Sequence, residues 1–105
     1  MREGFHPESL FRRTPFTPGW DVVGRVDATG GGVTGVGLGD LVAALPIVGG
    51  YSQVVYLPEK ELVPVPVGVD PCEAVSLVLN YVTAYQMLHR TARVKPQEAI
   101  LVHSA

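Results

Sequence analysis

The chain has 105 residues, 47% of them apolar and 17% charged, with a net charge of -2. That balance excludes a disordered chain and supplies no basic field for a nucleic acid, and the length allows one domain at most. No apolar run approaches the roughly 20 residues that span a bilayer and no secretory leader opens the chain, so a cytoplasmic protein with neither nucleic acid nor membrane as partner is expected. Its one cysteine, Cys72, rules out an internal disulfide and cannot build a structural zinc lobe, which agrees with a reducing compartment.

Residues 1–17 are broken by Pro7 and Pro15 and show neither helical nor strand periodicity, so they read as a surface loop. Asp21–Thr29 follows, with β-branched or small apolar residues at 22, 23, 26 and 28 between Pro18-Gly19 and the triple glycine 30–32, and is a predicted strand. Gly30-Gly31-Gly32-Val33-Thr34-Gly35 fits the dinucleotide pattern G-x-G-x-x-G. That pattern binds pyrophosphate only where it opens a helix, and Val36-Gly37-Leu38-Gly39 is too rich in glycine to do so; a plain turn is expected. Further strands are predicted over Leu41–Leu45 and Tyr51–Leu57, with Gly39-Asp40 and Gly49-Gly50 as punctuation. Leu62–Pro66 is extended, and its prolines confine it to a sheet edge. Four short strands with glycine turns suggest part of a β-barrel.

The period changes at Asp70. Asp70-Pro71-Cys72-Glu73 offers an N-cap, a proline at the first helical position and a glutamate three residues after the cap. The helix continues with apolar residues to position 92, with a break or bend expected over Asn80-Tyr81-Val82-Thr83, its poorest helix formers. Lys95–Glu98 is a turn, and Ala99–His103 begins an apolar strand.

Gly19, Asp21, Gly24, Gly30 and Val33 together spell G-x-D-x2-G-x5-G-x2-V. This resembles the signature of the medium-chain dehydrogenase/reductase superfamily, in its GroES-like catalytic domain. Gly39-Asp40, Gly49-Gly50-Tyr51 and Asn80–Tyr85 follow in the family's order, and Arg2-Glu3-Gly4-Phe5-His6-Pro7 is similar to its Arg-x-Gly-x-Tyr-Pro segment. Zinc-holding members carry Gly-His-Glu where this chain has Gly19-Trp20-Asp21, and an indole offers no lone pair to a metal. The resemblance is therefore to the zinc-independent quinone oxidoreductase branch. It implies an α+β, mainly β fold: a partial GroES-like β-barrel over 1–69, then over 70–105 the linking helix and first strand of a Rossmann-like cofactor domain. By that alignment the barrel's first strands and the cofactor domain's phosphate turn both lie outside the 105 residues.

The same resemblance puts Trp20 and Asp21 in the substrate cleft and Asn80 and Thr83 against the nicotinamide end of the cofactor, NADP, whose main binding site lies outside the chain. Each has a plainer reading. Trp20 can be a large core residue with its indole N–H satisfied, Asp21 a strand carboxylate paired with a nearby arginine, and Asn80 and Thr83 polar residues bonded to the preceding turn. His6, where tyrosine is usual, is a candidate proton donor or a loop histidine. Cys72 lies in a first helical turn, without the His or Asp signature of a catalytic nucleophile. His6, His89 and His103 lack the spacing of a metal site.

The function these residues imply is a fragment of an NAD(P)H-dependent oxidoreductase that reduces a quinone or activated enone by hydride transfer without zinc, a homo-oligomer at full length and inactive as 105 residues. Two alternatives stand beside it: a non-catalytic GroES-like interaction module whose open sheet edges pair with another chain, and an enoyl reductase segment of a multidomain synthase.

Overall fold

The computed structural model describes residues 15–103. β1 (Val22–Arg25), β2 (Leu41–Ala44) and β3 (Val63–Pro64) form an antiparallel sheet in the order β1-β2-β3. Val23 faces Ala43 and Arg25 faces Leu41 across the first pair, while Val42 faces Pro64 across the second. Pro64 has no N–H to donate, and it lies on the outer strand of the sheet as its chemistry requires. The β1–β2 ladder runs on past the strands, with the Val26 N–H donating to the Asp40 carbonyl (2.9 Å) and the Gly39 N–H to the Val26 carbonyl (2.8 Å). The predicted strand 21–29 is thus shortened to Val22–Arg25 with one further bonded residue, Val26, and 27–29 lie in an exposed loop.

The helix starts where the sequence places it. Asp70 caps it, its carboxylate accepting from the Cys72 N–H (2.8 Å) and the Glu73 N–H (3.3 Å), with Pro71 in the first turn. α1 (Pro71–Ser76) packs on β1 and β2 through Ala74, and with Val42, Ala43 and Ala44 this residue makes the buried apolar core. The chain then stays helical to Thr91, through π-type turns over Leu77–Tyr81, α2 (Val82–Tyr85) and further π-type turns over Gln86–Thr91. Tyr81 and Val82 keep right-handed helical angles, so in place of the break expected at 80–83 the winding widens over Leu77–Tyr81 and the helix continues. Propensity differences of a few tenths of a kcal/mol per residue are too small to end a helix. The helix stops at Arg93, whose φ is 53°, and the Val94 N–H closes back on the Leu88 carbonyl (3.0 Å).

Two predicted strands are corrected. Tyr51–Leu57 forms no strand: the Gly50 and Tyr51 N–H groups are engaged by 18–19, and beyond them Val54 and Tyr56 are exposed, Tyr56 to 95%. Ala99–His103 forms no ladder either, and Ile100, Leu101 and Val102 are exposed. An alternating or apolar run becomes a strand only where another strand satisfies its backbone, and neither segment meets one among the described residues. The expected first strand of a Rossmann-like domain is thus not formed. The radius of gyration, 16.9 Å, exceeds the roughly 13 Å of a closely packed chain of about 100 residues.

Candidate functional site

Gly19 of the signature and Gly50 act through the backbone. Residues 17–20 lie against 47–51: the Gly49 N–H donates to the Thr17 carbonyl (2.8 Å), Gly50 to Gly19 (3.1 Å), Tyr51 to Pro18 (2.9 Å) and Ile47 to Trp20 (3.1 Å). Gly19 has φ 108°, and a Cβ there would stand 2.5 Å from the Tyr51 nitrogen and 2.6 Å from the Gly50 Cα. A Cβ on Gly50 would in turn meet the Gly19 carbonyl carbon at 2.9 Å. Only glycine at both positions lets the two segments close to this distance. The clasp fixes the backbone on either side of Trp20 and at the start of Tyr51.

Beside it lies a cavity of about 630 Å³ between β1, the 50–57 segment and α1, lined among others by Asp21, Val23, Tyr51, Glu59 and Val75. Asp21 is half-buried on its wall, and Trp20, half-buried one residue earlier, is not part of the lining. Arg25, the nearest arginine in sequence, donates its Nη1 to the Gly39 carbonyl (2.8 Å), so the structure does not form the arginine pairing considered for Asp21 through that residue. Asn80 and Thr83 are exposed on the helix, Asn80 in the widened turn and Thr83 in α2, and do not line the Asp21 cavity. Three residues apart on one helix, an amide and a hydroxyl offer both donor and acceptor capacity, a set that fits a carboxamide. His6 lies outside the described residues. Cys72 is exposed in the first turn of α1.

The glycine-rich segment does not fit a pyrophosphate. No helix follows it, and the Thr34 N–H (3.2 Å) and the Gly35 N–H both donate to one carboxylate oxygen of Glu59, in the short 3-10 turn Glu59–Glu61. Amides that a phosphate would need already serve an anion of the chain itself, and that anion would repel a second. Sequence reasoning missed Glu59; a carboxylate 25 residues downstream gives no local signal of this contact. Among the described residues no three His, Cys, Asp or Glu side chains converge as a metal site needs, and no helix is long and apolar enough to cross a membrane.

A short antiparallel sheet clasped by paired glycines, with a capped helix laid across it, is the architecture of a partial GroES-like domain. Residues 1–67 match the alcohol dehydrogenase GroES-like domain family, and the chain belongs to it, within the medium-chain dehydrogenase/reductase superfamily. It is 36% identical over 93 residues to the human synaptic vesicle membrane protein VAT-1 homolog-like, covering 89% of this chain and 22% of that protein. It is 35% identical to the quinone oxidoreductase of Pongo abelii, over 87% of this chain and 28% of the relative. To the 2-haloacrylate reductase of a Burkholderia species it is 35% identical, over 99% of this chain and 32% of the relative. The crystal structure of the human VAT-1 homolog-like protein superposes with a TM-score of 0.67 at 34% identity, over 79% of this chain and 26% of that one. The chain thus spans less than a third of the length of each of these relatives.

Proposed function

We propose that this chain is the substrate-side part of a cytoplasmic, zinc-independent, NADPH-dependent reductase acting on quinones or activated enones. The observation that supports the reading is Trp20, held beside the Gly19–Gly50 clasp; by the resemblance, this is where zinc-holding members of the superfamily carry a histidine. The names of two relatives support the substrate class, one a quinone oxidoreductase and the other a reductase of 2-haloacrylate, an activated alkene. In this reading residues 1–69 form the catalytic domain and 70–105 lead into the cofactor domain. Bound NADPH supplies a hydride. The chain's own part is to orient and to exclude water: Trp20 and Asp21 border the substrate, Asn80 and Thr83 hold the carboxamide of the nicotinamide, and His6 returns the proton that completes the reduction.

The test is an assay of the whole gene product in its native reading frame, following NADPH absorbance with a simple quinone and with an α,β-unsaturated ketone, with and without a metal chelator. Substrate-dependent oxidation that ignores the chelator is expected, together with none from the 105 residues alone. No oxidation by the whole product with either substrate overturns the reading, and activity abolished by the chelator overturns its zinc independence.

A further inference from the structure

One residue of the clasp holds a backbone conformation that its side chain resists. Among the described residues three non-glycines have a left-handed φ: Arg93 (53°), which ends the helix, Gln97 (72°), in the turn after it, and Ile47 (70°). Arg93 and Gln97 are unbranched and stand at a helix end and in a turn, where chains commonly take such angles. Ile47 is β-branched, and its crowded Cβ makes the left-handed region costly. Asparagine or glycine would make the same bend at less cost, and the segment does use glycine two residues on, at Gly49 (φ 90°). A strained residue that persists where a relaxed one would serve points to a task for its side chain.

The neighbours of Ile47 narrow that task. Its N–H donates to the Trp20 carbonyl (3.1 Å), so the bend is seated on the residue that borders the substrate in the reading above. Both residues are half-buried, and neither lines the cavity beside Asp21. We propose that Ile47 is a specificity-determining residue, the second apolar wall beside Trp20, and that the pair selects a flat, alkylated quinone ring over a small acyclic enone. The inference rests on Trp20 as a border of the substrate and adds the acceptor it favours. A β-branched side chain has little rotamer freedom and an indole is flat and rigid, so together they keep a fixed apolar surface. The hydrogen bond to Trp20 does not require isoleucine, since every residue but proline supplies that N–H.

The test compares Ile47→Asn and Ile47→Val in the whole gene product. Asparagine accepts the left-handed angle and removes the apolar wall, whereas valine keeps the branch and the strain. NADPH oxidation is followed with a tetramethylated quinone and with a small acyclic enone, quinone binding is read by equilibrium dialysis, and the urea midpoint is measured. In Ile47→Asn the KM for the quinone should rise at least about fivefold with kcat within about twofold, and quinone binding should weaken to match. The KM for the enone should move less, the urea midpoint should hold or rise, and Ile47→Val should raise the quinone KM less than Ile47→Asn does. An unchanged quinone KM in Ile47→Asn overturns the proposal, as does an equal rise for both acceptors or for both variants. A urea midpoint that falls in Ile47→Asn also overturns it, because Ile47 is then a packing residue. Wild-type product that binds the quinone without reducing it sinks the reductase reading, and the dialysis of Ile47→Asn then decides the inference alone. Product that neither binds nor reduces the quinone overturns both.

Discussion

The segment 17–65 and the segment 71–103 hold themselves together by different means. In the first, backbone meets backbone: the sheet ladder, the clasp of 17–20 on 47–51 and the Glu59 carboxylate on the 34–35 amides link stretches far apart in sequence. In the second the bonds are local, and beyond Ala74 the large apolar side chains are mostly exposed. The difference teaches where sequence identity is constrained. The first segment depends on particular glycines and fixed geometry, whereas the second depends on whatever covers its apolar face. Substitutions that act through the backbone should therefore hurt most in the first, and those that act through a cap should be modest and confined to the second.

The largest effect is expected from Gly19→Ala. The new Cβ adopts a left-handed φ and collides with main-chain atoms of Gly50 and Tyr51, which cannot swing aside as a side chain would. A loss of about 3 kcal/mol or more is expected in urea unfolding, a large share of the roughly 5–15 kcal/mol that holds a domain folded. A loss under about 1 kcal/mol would mean that the clasp yields, and that the two segments are alike after all.

This contrast also explains what the sequence could announce. The cap at Asp70, the turn that follows β1 and the edge placement of Pro64 depend on a few adjacent residues, whose chemistry admits few conformations. Residues 51–57 and 99–103 have the composition of strands, but pairing depends on another strand being there to receive them, and that is not written within the segment itself. The wide turns over Leu77–Tyr81 and Gln86–Thr91 share no motif in the sequence. Around the candidate site, the need for glycine at 19 was legible in the signature, and the structure gives its reason in the close approach of Gly50 and Tyr51; the roles of Trp20 and Asp21 rest on the resemblance alone. Asn80 and Thr83 were singled out by the same resemblance. Their separation from the Asp21 cavity was not legible, because it depends on how the helix lies across the sheet.

A smaller effect, limited to the second segment, is expected from Asp70→Ala. It frees the Cys72 and Glu73 N–H groups at the helix start and should cost about 1 kcal/mol. Far-ultraviolet dichroism should show reduced helix in the 105-residue chain, while Asp70→Asn, which keeps an accepting oxygen, retains it. If the loss spreads to the amide protection of Ala43 and Ala44, the two segments fold as one unit, and their contrast is one of geometry and not of cooperativity.

The smallest effect sharpens the comparison most, because it uses the same substitution at another glycine of the first segment. Gly31 has open space around its would-be Cβ and no left-handed φ. Gly31→Ala should leave stability unchanged or raise it by about 0.4–1 kcal/mol, since the alanine restricts only the unfolded chain. Read with Gly19→Ala, this separates glycines that a close approach demands from one that merely fills a turn. The substitution also bears on the pyrophosphate-like pattern. Were residues 30–35 a phosphate cradle, a methyl group at its centre would obstruct the approach and weaken NADPH binding in the whole gene product. With the 34–35 amides committed to Glu59, that affinity should not change.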